Sequence, residues 1–519
     1  MPNTNFKHDT TINLDQHFAQ FRRNIVGDKL KHNFPFGKKS VVYADWTASG
    51  RLYQPIEDYI SKILGPYVAN THTETTTTGM RMTQAYHEAH RIVKRHVNAS
   101  KNDVLLFSGF GMTSAINKLQ RMLGLRIHEK FRSRIGLCQE EKALVVLTHM
   151  EHHSNQTTWN ECCCDVKIVN RGEDGLPDLS HLREILAENK DRKLKIGSFS
   201  ACSNVTGIVT PYHKMASIMH EHGGFCFVDF AASAPYVAID MHPSNPLEKL
   251  DAIFFSPHKF LGGVGSSGVL LFDKSLYTLK VPDQPGGGTV MWTNPWGEQQ
   301  YHTDIEVRED GGTPGFLQAI KTALAILLKE EMGIENIQWR EEILKNRLIE
   351  NLSKHSRVHI LESQQKQRLG IVSFYSLNMH HNLIVRILND RFGIQSRGGC
   401  SCAGTYGHIL LKVDREKSKS ITEKISLGDL SEKPGWVRLS IHPTMTEKEV
   451  DFIADAVHSV IENYETWLQN YRFDPATGDY RSIKDDVPFD LAFSFSNFSK
   501  RRNTFCRAFF DSNNGLLES

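Results

Sequence analysis

Between about Ser40 and about Leu328 the chain alternates short apolar runs with amphipathic stretches. LLFSG is followed by MTSAINKLQRML, and further apolar runs occur as ALVVLTHM, GFCFVDFA and LDAIFFSPHK. Strands separated by helices predict βαβ units and a mostly parallel sheet. The runs GFCFVDF and DAIFF are apolar on both alternating faces, as expected for strands that helices cover on both sides. A long charged helical stretch, KTALAILLKEEMGIENIQWREEILKNRLIENLSKH, then leads into a second pattern. There IVSFYSL and WVRLSIHP read as strands and HNLIVRILNDRFG as a helix, and a last helix opens at Thr446 with Glu449 completing a capping box. The predicted fold is α/β, with a large domain over 41–334 and a smaller α+β domain over 335–470. The N-terminal segment 1–40 is expected to pack on one of these bodies. The C-terminal extension 471–519 is polar but dotted with phenylalanines, and reads as either a docked or a partly disordered tail.

Composition narrows the function. Hydrophobic residues make up 40% of the 519 and charged residues 23%, which fits an ordinary soluble protein and excludes collagen-like or disordered classes. Sixty-one Lys and Arg against 59 Asp and Glu leave a net charge of +2, so no global field favours nucleic acid or an anionic membrane. A small substrate is the expectation. No apolar run approaches the roughly 20 residues of a spanning helix. The N-terminal stretch has no apolar core and carries Asp9 and Asp15, so a cytoplasmic location is expected. Nine cysteines, three of them adjacent (Cys162, Cys163, Cys164), suit no disulfide framework and read as free thiols.

The strongest chemical signal is Asp229 at the end of GFCFVDF together with Lys259 at the end of DAIFFSPHK, one strand later. Ligands of open α/β sheets sit outside the carboxyl ends of the strands, so both charges are delivered to one crevice. A lysine amine that can form a Schiff base, and a carboxylate that can partner a pyridinium nitrogen, are what a pyridoxal phosphate site needs. The same two residues could also be a plain ion pair. In LLFSGFGMTSAIN, a strand, a turn with Gly109 and Gly111, Thr113 and a helix start make an anion cradle. A dinucleotide site would lack its third glycine. His152, after the next strand, could stack on a planar cofactor or carry a proton near neutral pH. His149, His152 and His153 have no acidic or Cys partner at ligand spacing, so no metal is expected.

Ten motifs in order then carry a resemblance: YADWTASG (43–50), NTHTETTTT (70–78), GMTSAIN (111–117), MEHHSN (150–155), SNVTG (203–207), VDFA (228–231), SPHK (256–259), GGTP (311–314), SRGGCSCAG (396–404) and VRLS (437–440). The chain resembles the class V aminotransferase family of pyridoxal-phosphate enzymes, and within it the group II cysteine desulfurases. The resemblance implies the fold-type I architecture, a large domain with a seven-stranded, mostly parallel sheet and a smaller α+β domain. It implies that Lys259 binds pyridoxal 5'-phosphate and later moves the Cα proton, that Asp229 pairs with the ring nitrogen, and that His152 stacks on the ring. Asn204 would face the phenolic oxygen, while Thr113, Ser256 and His258 would bind the phosphate, joined by Thr313 from the partner of a homodimer. Arg438 would take the substrate carboxylate, with Arg397 and His72 lining the substrate pocket.

In this family pattern Cys402, in RGGCSCAGTYGH, attacks the sulfur of L-cysteine and becomes a persulfide, for transfer to a sulfur-acceptor protein. Cys400 is its competitor or a resolving thiol. The alternative is a class V aminotransferase, lyase or epimerase acting on another amino acid, with Cys402 non-catalytic. Two departures stand out. Ala232 occupies the position where the resembling desulfurases usually carry a glutamine, and the charged insertion over 412–435 reads as a solvated loop, or as a lid or docking surface.

Overall fold

The computed structural model describes residues 13–71, 73–134, 136 and 140–484. Its centre is a seven-stranded sheet of β1 (Asp103–Phe107), β2 (Ala143–Thr148), β3 (Cys164–Val169), β4 (Lys195–Ser200), β5 (Phe225–Asp229), β6 (Ala252–Phe255) and β7 (Val269–Asp273). The spatial order is β1-β7-β6-β5-β4-β2-β3. Strands β3, β2, β4, β5 and β6 run parallel, and β7 is antiparallel to both β6 and β1.

The apolar runs become central strands because both of their faces are covered. In β5, Cys226 and Val228 enter one core cluster with Phe199, Ile253 and Ile326, while Phe227 enters the opposite cluster with Ile116, Trp159 and Phe254. All six residues of β2 are buried. The chemistry-bearing residues follow directly after these strands, at the carboxyl edge of the sheet.

The smaller body is a four-stranded antiparallel sheet in the order β8 (His359–Ile360), β9 (Ile371–Tyr375), β11 (Trp436–Ser440), β10 (Arg397–Gly399). The helices Ile334–Ser353 and Glu447–Glu462 share its core, and the second carries the capping box of Thr446 and Glu449. The N-terminal helix Leu14–Arg22 belongs to this body, for Phe18 and Phe21 are buried in the same cluster. Arg340, from the helix Ile334–Ser353, also donates to Asp15 at 2.8 Å. Val42–Tyr43 then pairs in parallel with Ile394–Gln395, so the chain crosses the smaller body before it enters the larger one.

At the other end, a hairpin of Tyr471–Asp474 and Asp479–Ser482 docks on the smaller body, with Asn382 donating to the Gly478 carbonyl at 2.8 Å. Residues 485–519 of the C-terminal extension lie outside the described residues. The charged insertion is not simply a solvated loop: Arg415–Ser426 forms a helix capped by Asp414, with Ile421 buried and Ser418 hydrogen bonded to His408 at 2.9 Å. Its charges, at close to helical spacing, leave one apolar side chain to anchor it.

Because Phe18 is fully buried, Phe18→Ala is expected to lower the unfolding free energy by about 3–5 kcal/mol, measured by chemical denaturation. A loss within the few tenths typical of surface positions would show that the N-terminal helix does not share the core.

Candidate active site

Strand β6 ends at Phe255, and Ser256 then leads into a single turn, Pro257–Lys259, that delivers the Lys259 amine over the sheet edge. Two contacts fix that turn. The Ser256 hydroxyl accepts from the Met112 N–H at 2.9 Å, and the Gly50 N–H donates to the His258 carbonyl at 2.9 Å. A Cβ at Gly50 would lie 2.0 Å from the Phe260 carbonyl oxygen, so only glycine permits this approach.

Asp229 ends β5 and accepts from the Ala231 N–H at 2.8 Å. Asp229 is buried and Lys259 half-buried. Burial is the largest influence on each: it pushes Asp229 up to about 7, although Lys259 pulls the other way, and brings Lys259 down to about 8, although Asp229 opposes it. The positive charges of Arg438 and Arg397 lower Lys259 further. An acid and an amine that both titrate near neutrality can exchange protons with a substrate at little cost.

His152 caps the helix His153–Asn160, its Nδ1 accepting from the Ser154 N–H at 3.1 Å. Burial, with the Lys259 charge next, pushes it down to about 3, so the ring is neutral. Burial likewise brings His258 down to about 4. The adjacent helix Met112–Met122 starts after Gly111, where an added Cβ would crowd the Ser256 hydroxyl at 3.0 Å, and the Thr113 hydroxyl lies 2.6 Å from that of Ser154. Three hydroxyls therefore surround a helix N-terminus. The remaining histidines of the triplet go elsewhere. His149 packs edge-on to Tyr406, and His153 accepts from the Gly404 N–H at 2.9 Å.

On the opposite wall Arg438, in β11, is 3% exposed. It donates from Nη2 to Asp45 at 2.8 Å and from Nη1 to the Asn204 carbonyl at 3.0 Å, while its Nε has no partner. Arg397 reaches the same Asp45 at 3.0 Å. Asn204 donates to the Ser401 carbonyl at 2.7 Å, which leaves its buried Oδ1 without a partner.

Cys402 sits in the loop between β10 and the helix Gly404–Leu410, and is exposed. Ser401 and Cys402 have φ of 52° and 55°, two consecutive residues with side chains in the left-handed region, a conformation that costs each on the order of 1–3 kcal/mol. Four hydrogen bonds hold the loop there: His153 N–H to the Cys402 carbonyl at 2.7 Å, Asn204 to the Ser401 carbonyl, the Trp436 indole to the Ser401 hydroxyl at 3.2 Å, and Gly404 to His153. Cys400 is half-buried and packs with Met150, Tyr406 and Trp436.

One cavity of about 260 Å³ brings together Lys259, Asp229, His152, Asn204, Thr113, Ser256, His258, Arg397, Arg438 and Cys402. Ala231 and Ala232 also line it, and no glutamine does. Thr313 does not line it; it borders a second cavity that shares Thr113, and accepts from Asn70 at 3.3 Å. His72 lies outside the described residues.

The sequence reading missed three residues of this region. Asp45 lay within YADWTASG, where nothing local marks a carboxylate that pairs with arginines 352 and 393 residues away. Cys202 lines the cavity, but burial holds its thiol well above the ordinary range, and it donates to the Gly207 carbonyl at 3.1 Å. Glu151 is fully buried and accepts five hydrogen bonds, from the hydroxyls and N–H groups of Thr148 and Ser200 and from Asn155. The Thr148-x-x-Glu151 spacing, of the kind found in capping boxes, was its available signal.

The chain and its fold are similar to those of known proteins. A relative from Halalkalibacterium halodurans, named "Probable cysteine desulfurase", is 28% identical over 392 residues, covering 72% of this chain and 88% of that protein. A "Cysteine desulfurase" of Haloferax volcanii is 27% identical over 368 residues, 70% of this chain and 80% of that one. The fold is similar to the apo structure of a cysteine desulfurase from Thermococcus onnurineus NA1, with a TM-score of 0.68 at 22% identity, covering 86% of this chain and 98% of that one.

Half-modification of the Lys259 amine by an amine-selective reagent is expected near pH 8 in the protein without added ligands, against about 10.4 for an ordinary lysine. Asp229→Asn removes the neighbour that favours the charged amine and should move the midpoint lower; an unchanged midpoint, read by peptide mass spectrometry, would show that the two groups are not coupled. Residues 42–453 match the family described as Aminotransferase class-V, and the chain belongs to that family.

Proposed function

We propose that the chain is a pyridoxal 5'-phosphate enzyme that takes sulfur from L-cysteine, releasing alanine and leaving a persulfide on Cys402. The observation that carries this reading is the Cys402 loop: a strained turn, held by four hydrogen bonds, presents a thiol to the cavity that also holds Lys259 and Arg438. Relatives over most of the chain bear the name cysteine desulfurase.

The residues fit the cofactor. An amine and a buried carboxyl face one cavity, a neutral imidazole flanks them, and Gly111 leaves open a cradle of hydroxyls that a Cβ would crowd. Lys259 would hold the cofactor, Asp229 its ring nitrogen and His152 its face, with Thr113, Ser256 and His258 at the phosphate. When bound, the cofactor supplies an electron sink for the substrate α-carbon.

Arg438 and Arg397, which both line the cavity, would take the substrate carboxylate, with His72 as the further pocket residue that the resemblance implies. The neutral form of Lys259, favoured by its burial, accepts the Cα proton. The Cys402 thiolate attacks the substrate sulfur. The new S–S bond forms as the Cβ–S bond breaks, the electron pair of that bond stays with carbon, and a proton returned there completes alanine. No external oxidant is needed. In this reading the protein is a cytoplasmic homodimer, Thr313 serves the partner's phosphate site, and the persulfide sulfur passes to an acceptor protein.

Cys402→Ser holoenzyme, given L-cysteine, is expected to lose sulfide and alanine formation by about a hundredfold or more while still taking up the cofactor. Equal rates in variant and wild type would instead favour an aminotransferase, lyase or epimerase in which Cys402 takes no part.

A further inference from the structure

Arg397 and Arg438 stand directly opposite one another in the antiparallel register of β10 and β11. Side chains at such positions leave the same face of a sheet, and like charges placed there repel. The counter-charge comes from a distant part of the chain. The backbone at Ala44 and Asp45 runs alongside the end of β11, with the Ser440 N–H donating to the Ala44 carbonyl at 2.8 Å and Asp45 bridged to Ser440. Asp45 is thereby placed between the two guanidiniums, one oxygen 2.8 Å from Arg438 and the other 3.0 Å from Arg397.

The charges around the cavity then sum simply. Asp229 and Lys259 offset one another, burial keeps His152 and His258 neutral, and Asp45 cancels one of the two arginines. One positive charge remains at that end. Arg438 and Asp45 are 3% and 8% exposed, so water screens this balance weakly. Arg438 and Arg397 both line the cavity while they pair with Asp45, so an anionic group entering it meets both guanidiniums.

We infer that Asp45 is a specificity-determining residue: by sharing both arginines it limits the substrate end to one carboxylate and discriminates against amino acids that bear a second anionic group. A β-carboxylate or a sulfinate entering beside the α-carboxylate would meet an end whose positive charge is already matched, the Asp45 carboxylate being paired with both arginines. The inference rests on the reading of Arg438 and Arg397 as the carboxylate-binding end.

The test compares holoenzyme and its Asp45→Asn variant for binding of L-alanine, with one carboxylate, and L-aspartate, with two, by calorimetry. Turnover of L-cysteine and L-cysteine sulfinate is measured alongside. Asp45→Asn should shift affinity toward L-aspartate relative to L-alanine by about tenfold, equivalent to about 1.4 kcal/mol, and the gain with the sulfinate should appear in KM rather than kcat. An unchanged ratio, with both ligands weakened alike, would make Asp45 a structural counter-ion only and overturn the inference.

If Asp45→Asn does not fold, Arg397→Gln replaces a half-exposed side chain and reduces the balance to zero. It should weaken L-alanine by about tenfold or more and L-aspartate at least as much; unaltered affinities would again overturn the inference. A wild type that binds both ligands with the expected preference, yet forms no alanine from L-cysteine, would sink the proposed reaction and leave the role of Asp45 standing.

Discussion

Asp229 and Lys259 are drawn largely out of water at one edge of the sheet, and burial works against the charge on each. An isolated buried carboxylate or ammonium costs far more than a domain's net stability, and a protein relieves that cost by pairing the groups or by shifting their titration. The second response is the one seen: burial brings each group toward neutrality, and the charge of each opposes the other's shift. The surrounding architecture follows from that demand. Parallel strands covered on both faces deliver the pair at one edge, a second body closes over it, and neutral histidines and hydroxyls line the rest.

The same closure explains the strain at Cys402. Left-handed conformation at two successive residues persists only where the surroundings over-determine it. The constraints come from both bodies, since His153 and Asn204 follow strands of the large sheet while Trp436 belongs to the small one. The thiol is therefore positioned by the relation between the bodies rather than by its own loop. Cys202, in the same cavity, shows the contrast, for a thiol enclosed by backbone carbonyls and apolar neighbours stays protonated and inert.

Much of the large body was legible in the sequence because its signals are local. A run that is apolar on both faces can be stable only inside a covered sheet, so GFCFVDF and DAIFF identified β5 and β6, and with them the edge where Asp229 and Lys259 stand. The capping box at Thr446 was legible for the same reason, its two partners being three residues apart. Less visible was the attachment of Leu14–Arg22 to the smaller body, because a short amphipathic helix does not state which surface covers it. The helix Arg415–Ser426 was obscured by its charge, since a single buried isoleucine gives almost no periodicity.

The sequence by itself determined the α/β architecture, the lysine and carboxylate at successive strand ends, and the ordered motifs that carry the family. These depend on the period of burial and on spacing within one strand or turn. Only the tertiary structure decided which groups meet and in what state: that burial brings Asp229 and Lys259 toward neutrality, that Cys402 rather than Cys400 lines the cavity with Lys259, and that Asp45 lies between Arg397 and Arg438. Such facts depend on contacts between residues tens to hundreds of positions apart, and on burial that shifts titration. Neither leaves a mark at short range along the chain.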